Sequence, residues 1–267
     1  MKKLLSILSA IFIFALPTTA KTDFTTYCPQ PPAQKFKVSK ITGMNWLSEQ
    51  IAESIIKKEL KKETKGKFKV KMKSYGTLDL INGKFSYLSM YGKNLNVDGT
   101  HISNFSSTTM CEYNSVKLNK DNIQFRENMV LNYELKIDND ALSQTLIDTG
   151  YVETIKKFGI PINDISTQIR NNKVYFIFEI PTFVTKPVKV TLSSGLNVKN
   201  GKIHLSGLQS NSTVNSKKLL YILEQTNPLA FTFDIMDNKK SKLYVDSVKI
   251  INDTIVIKGL VLIPKNV

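Results

Sequence analysis

This chain has little of what catalysis and metal binding draw on. Its 267 residues include two histidines, two cysteines and one tryptophan. No H-E-x-x-H, C-x-x-C, G-x-S-x-G or S-x-x-K run occurs, and no glycine loop suited to cradling phosphate. Asp and Glu are scattered, without the spaced cluster that calcium requires. His101 and His204 fall on the polar parity of alternating segments, where a lone histidine is more often structural than catalytic. Neither a cofactor nor enzymatic activity is expected. Cys28 and Cys111 leave two fates open: a bridge tying the N-terminal tail to a central strand, or two thiols. After residue 20 no apolar stretch approaches the ~20 residues that span a bilayer.

What is present begins at the N-terminus. Lys2 and Lys3 precede an apolar run from Leu4 to Leu16, followed by Pro17-Thr18-Thr19-Ala20. A positive start, a short apolar core and a small-residue exit are the layout of a secretory signal peptide. The run is too short to cross a bilayer. Cleavage is expected near Ala20, giving an exported protein of the periplasm or envelope that begins near Lys21. Cys28 lies beyond that cut, so it is not a lipoprotein acceptor. The net charge of +15 favours anionic partners such as lipid head groups or wall polymers. Export argues against nucleic acid. An alternative source of the charge is a genome rich in Lys, Asn and Ile codons. The hydrophobic content of 42% is enough for a core and argues against global disorder.

The segments follow a clear order. Residues 21–40, with Pro29, Pro31 and Pro32, read as an extended arm. Residues 41–267 read as one domain. Leu47, Ile51, Ala52, Ile55, Ile56 and Leu60 predict a helix whose apolar stripe faces inward. Glu49, Glu53, Lys57, Lys58, Lys61 and Lys62 would lie opposite. Alternating segments follow: Phe68 to Met72 between lysines, Leu78 and Leu80, Phe85 to Val97, and one long strand over 122–137 with a bulge at Glu127. A second helix is expected over 140–157. Strands are expected at 165–170, 172–180, 187–192, 196–199 and 202–208. A short helix at 216–226 precedes strands at 229–235, 242–251 and 254–263. Period-two alternation with segregated helices describes an α+β fold: a large curved antiparallel sheet wrapped around one or two amphipathic helices. The helix-then-strands unit occurs about twice, which hints at duplication.

Two runs carry a resemblance. Gly83-Lys84-Phe85-Ser86-Tyr87-Leu88 and Leu95-Asn96-Val97-Asp98-Gly99-Thr100-His101-Ile102 resemble the LmeA-like phospholipid-binding family. Ile137 to Leu142 is similar to its second-helix entry. Asn227-Pro228-Leu229 and Val248 to Ile263, with Gly259, are similar to its closing strands. The resemblance implies an exported, non-enzymatic protein shaped like tubular lipid-binding domains that holds anionic phospholipid. The reading that follows is a lipid binder or shuttle touching the membrane peripherally. Acyl chains would lie against Leu47, Ile51, Ile55, Leu131, Tyr133, Phe176, Phe178, Phe231 and Phe233. Lys57, Lys58, Lys61 and Lys62 would meet the head group or the membrane. The rival reading is a surface or wall interaction module with a fully packed core. Glu179, inside an apolar segment, is expected to face solvent.

Overall fold

Alternation of apolar and polar residues builds most of the molecule as antiparallel strand. In the computed structural model, which describes residues 23–30, 44–118, 123–182, 186–212, 215–229 and 242–265, the fold is α+β. Its large sheet is open rather than closed into a barrel. The chain runs α1 (Met44–Glu63), β1 (Lys65–Ser74), α2 (Thr77–Ile81), β2 (Lys84–Val97), β3 (Thr100–Thr109), β4 (Asn114–Leu118), β5 (Ile123–Phe125) and β6 (Met129–Ile137). It continues through α3 (Asn139–Asp148), α4 (Tyr151–Lys157), β7 (Asp164–Arg170), β8 (Lys173–Ile180), β9 (Val188–Lys199) and β10 (Lys202–Ser210). The described part closes with α5 (Ser216–Thr226), β11 (Lys242–Ile251) and β12 (Thr254–Ile263).

The eight-stranded sheet has the order β11-β12-β6-β3-β2-β4-β5, with β1 paired along β2; the four-stranded sheet is β10-β9-β8-β7. Two-residue turns fix the registers. Asp98-Gly99, Asn171-Asn172, Asn200-Gly201 and Asn252-Asp253 all have positive φ at both positions. That is the signature of the hairpin turn whose twist matches the flanking strands. Asn, Asp and Gly tolerate this backbone best.

Both sheets feed one hydrophobic core. Phe176 and Phe178 of β8, Leu131 and Ile137 of β6, Leu142 of α3, Ile155 of α4 and Leu219 of α5 are all essentially inaccessible. Gly259 marks a close approach, because a Cβ there would sit 2.0 Å from the Tyr244 carbonyl oxygen and 2.8 Å from the Tyr133 hydroxyl.

Two helices close strand edges by the same device. Met72 N–H donates to Glu53 Oε1 at 2.8 Å, and Ser74 N–H donates to Glu49 Oε1 at 2.8 Å. Side chains one helical turn apart on α1 thus meet alternate free amides of β1. On α3, Ser143 Oγ accepts from Thr167 N–H at 3.0 Å and Asn139 Oδ1 accepts from Ile169 N–H of β7. The matching geometry is what a duplicated helix–strand unit would produce. Glu53→Ala should cost about 1–3 kcal/mol, because it strands a half-buried amide, while Glu53→Gln keeps an acceptor and should cost clearly less. Urea unfolding of both variants checks this; equal costs would show that the contact is incidental.

Several elements differ from the sequence-based expectation. Residues 24–27 form a 3-10 turn with Phe24 buried, and Cys28 is bonded to Cys111. The first part of the expected extended arm is therefore a docked segment. Phe24 packs with Cys111, Val130 and Leu262 on the sheet face opposite the main core. The helix expected over 140–157 is two helices, since Gly150 takes a left-handed φ of 71° and turns the chain. The strand expected over 122–137 is also two, broken after Phe125; β5 pairs with β4, and β6 with β3 and β12. Leu78 and Leu80 lie on α2, not on a strand. β9 is continuous where two strands were expected. The leader and most of strand 229–235, including Phe231 and Phe233, lie outside the described residues.

Candidate functional site

The orientation of α1 decides what the protein presents to its surroundings. Ala52, Ile56 and Leu60 pack inward, and Glu49 and Glu53 turn toward the β1 edge. A helix has one remaining side. That side carries Trp46, Leu47 and Ile51, which are 64%, 54% and 56% exposed. Further along the same side Lys57, Lys58 and Lys61 are exposed, and Lys62 is paired with Glu59 at 2.8 Å. α2 lies beside α1 and adds exposed Leu78 and Ile81. The outer face is thus apolar at its first turns and cationic at its last. The inward stripe expected from Leu47, Ile51 and Ile55 is corrected: the first two face solvent and Ile55 is half-buried. The acidic residues took the inward place because strand amides there need acceptors.

The other expected acyl-contact residues among the described ones sit in the interior. Leu131, Tyr133, Phe176 and Phe178 are buried within the continuous core. Burial also pushes the Tyr133 hydroxyl far above its ordinary pKa, and it donates weakly to the Tyr244 carbonyl at 3.5 Å.

Beyond the lysine end of α1 an open cleft of about 580 Å³ is lined by Lys61, Lys62, Lys65, Asn96, Asp98 and Asp148. Its wall is braced by His101 Nε2, 2.7 Å from Asp148 Oδ2. The His101 contact, and then the Gln144 amide at 2.8 Å, hold the Asp148 carboxyl below the usual carboxylate range. His101 therefore joins β3 to the end of α3. His204 and Glu179 stand on the outer sides of their strands, Glu179 opposite Lys189.

A second cationic surface is the outward side of the large sheet. Burial alternates along β1, so Phe68, Val70 and Met72 go in while Lys67, Lys69, Lys71 and Lys73 come out. The register sets Lys67 opposite Lys93, Lys69 opposite Tyr91, Lys71 opposite Ser89 and Lys73 opposite Tyr87. The next strands continue the rows with Asn104, Ser106 and Thr108 of β3, then Lys136, Glu134 and Asn132 of β6. Glu134 accepts from Lys258 at 2.9 Å and from Lys136 at 3.4 Å. These contacts, Lys258 first, hold its carboxyl below the usual range. Exposed Asp246 sits at the β11 bulge.

Among the described residues no cluster of His, Cys, Asp and Glu is arranged to hold a metal ion, and no helix is long and apolar enough to cross a membrane. The chain finds no match among family models, curated proteins or solved structures.

Sequence reasoning named the α1 lysines and the β1 lysines. It passed over Trp46, Leu78 and Ile81, and it placed Leu47 and Ile51 on the wrong side. The available signal was that Trp46, Leu47 and Ile51 together with Ala52, Ile56 and Leu60 make an apolar arc too wide for one buried stripe.

Proposed function

We propose that this is an exported envelope protein that binds anionic phospholipid at a membrane surface and performs no chemistry on it. The observation that carries the reading is the outer face of α1, with Trp46, Leu47 and Ile51 exposed at one end and lysines at the other. A large aromatic and two aliphatics open to water cost about 1.5–3 kcal/mol each relative to burial. Lipid relieves that cost, and tryptophan prefers the interfacial zone. Each lysine near an anionic bilayer adds ~1 kcal/mol of attraction. The cleft beside Lys61, Lys62 and Lys65 has room for a head group. The Cys28–Cys111 bridge suits an oxidising compartment outside the cytoplasm. The resemblance to LmeA-like proteins points to the same ligand class. The site differs from the one expected at the outset: lipid is held on the outside, because Leu131, Tyr133, Phe176 and Phe178, assigned to a lining, belong to the packed core while Leu47 and Ile51 face solvent.

Trp46 is the chain's one tryptophan, so its fluorescence reports this face alone. On vesicles of phosphatidylglycerol its emission should shift to the blue and be quenched by brominated acyl chains. On phosphatidylcholine the shift should be small. Replacing Lys57, Lys58, Lys61 and Lys62 by Gln should weaken partitioning more than about tenfold, since four lysines supply up to ~4 kcal/mol. Wild-type binding should also weaken with salt, because exposed charges are screened over ~10 Å at 0.1 M. Equal partitioning onto neutral and anionic vesicles, or an emission spectrum indifferent to lipid, would sink the proposal.

A further inference from the structure

The outward side of the large sheet is built differently from α1, and we infer that it is a second, separate binding site for a linear acidic polysaccharide. The inference does not depend on membrane docking. Cations recur every ~6.7 Å along β1, and across it Lys93 stands one strand spacing, ~4.8 Å, from Lys67. Lys67 directly opposite Lys93 places like charges side by side, which weakens a sheet. A chain of regularly spaced carboxylates, sulfates or phosphates lying across these strands turns that repulsion into attraction.

Three features select a glycan among polyanions. First, across β1, β2 and β3 the exposed part of the face is polar apart from its tyrosines: hydroxyl and amide side chains such as Ser106 and Asn104 stand beside the lysines and suit sugar hydroxyls. Second, Tyr91 and Tyr87 rise between the lysines as half-exposed rings that offer flat surfaces to the C–H side of a pyranose. The Tyr91 ring is pinned by its hydroxyl, which donates to Asn104 Oδ1 at 2.8 Å, and Lys73 lies 6.0 Å from the Tyr87 centroid. Side chains already ordered lose less entropy on binding. Third, of the six large aliphatic side chains that stand exposed among the described residues, four are on α1 and α2; the one on this side of the sheet, Ile251, lies at the far end of β11, away from the lysine rows. At the apolar end of the sheet, Val130 and Leu262 are covered by the N-terminal turn. Glu134 is the internal competitor of the ligand, since it occupies Lys136 and Lys258 when the face is empty.

The competitor makes the test sharp. Alginate oligomers serve as the acidic polysaccharide, with a neutral dextran and an oligothymidylate of equal charge as controls, and binding is measured by calorimetry on the mature protein. Alginate should bind, weaken with salt and outcompete both controls. Glu134→Gln should tighten alginate several-fold, because it removes a negative charge and frees two lysines. Lys69→Gln with Lys93→Gln should weaken it by about tenfold or more. Tyr91→Ala should weaken it several-fold with no change of charge. These surface substitutions leave the core intact, and near-ultraviolet dichroism verifies the fold of each variant. Their partitioning onto phosphatidylglycerol vesicles, read by Trp46, should match wild type, which separates this site from the α1 face. Oligothymidylate binding as tightly as alginate, Glu134→Gln without effect, or Tyr91→Ala without effect would each overturn the assignment.

Discussion

Phe178→Asp is expected to abolish the folded state at room temperature. Phe178 is 0% exposed, on β8 with paired strands on both sides. An unpaired carboxylate there costs several kcal/mol before counting the lost ring, against a total stability of about 5–15 kcal/mol for a typical domain. The variant should show no cooperative urea transition. Phe178→Trp asks a finer question. In a packed interior the extra ring costs roughly 1–3 kcal/mol. In a protein with an internal lipid tunnel the ring would enter free space and displace lipid instead. Urea unfolding together with native mass spectrometry separates the two: destabilisation without any change in lipid content is the result expected of the surface-binding reading.

The second large effect comes from the bridge. Cys28 and Cys111 are 83 residues apart. Closing a loop of that size removes about 4.5 kcal/mol of unfolded-chain entropy in the simple loop model, and native bridges deliver about 2–5 kcal/mol. Replacing both cysteines by serine should lower the melting temperature by roughly 10 °C for a chain of this size. It should also release the turn at Phe24–Tyr27 from Val130 and Leu262. Reductant should reproduce the shift in the wild type and leave the double variant unchanged. Identical melting curves with and without reductant would show that Phe24 alone holds the turn.

Much of the architecture was legible in the residues. α5 at 216–226 and the closing strands at 242–251 and 254–263 fall where Asn227-Pro228 and the alternation set them. The α+β class followed from period-two alternation, plainest over 122–137 and 172–180, with the helices set apart from it. What was hidden was hidden for physical reasons. Glu49 and Glu53 look like solvent charges on a helical wheel. Their role exists only because β1 ends the sheet, and strand order leaves no trace in one sequence. Leu78 and Leu80 are spaced for a strand, yet five residues are too few for periodicity to choose between strand and a single helical turn. The break at Gly150 was visible as a glycine inside an apolar period but was outvoted by Ile155. The lysines of the candidate surfaces were plain in the sequence. Their partition onto two faces was not, because Lys93 and Tyr91 meet β1 only through pairing.

The carboxylate, hydroxyl and carboxamide plugs along β1 and β7 matter most when molecules are gathered together. A protein adsorbed on a bilayer meets its own copies in two dimensions, at an effective concentration far above that in free solution. A bare strand edge under that confinement is a template for the next copy's edge. With Glu53 and Glu49 already seated on the Met72 and Ser74 amides of β1, and Ser143 and Asn139 on the Thr167 and Ile169 amides of β7, neighbouring copies find these four amides occupied. Dense coverage of a surface can then proceed without these edges stitching the layer into a sheet.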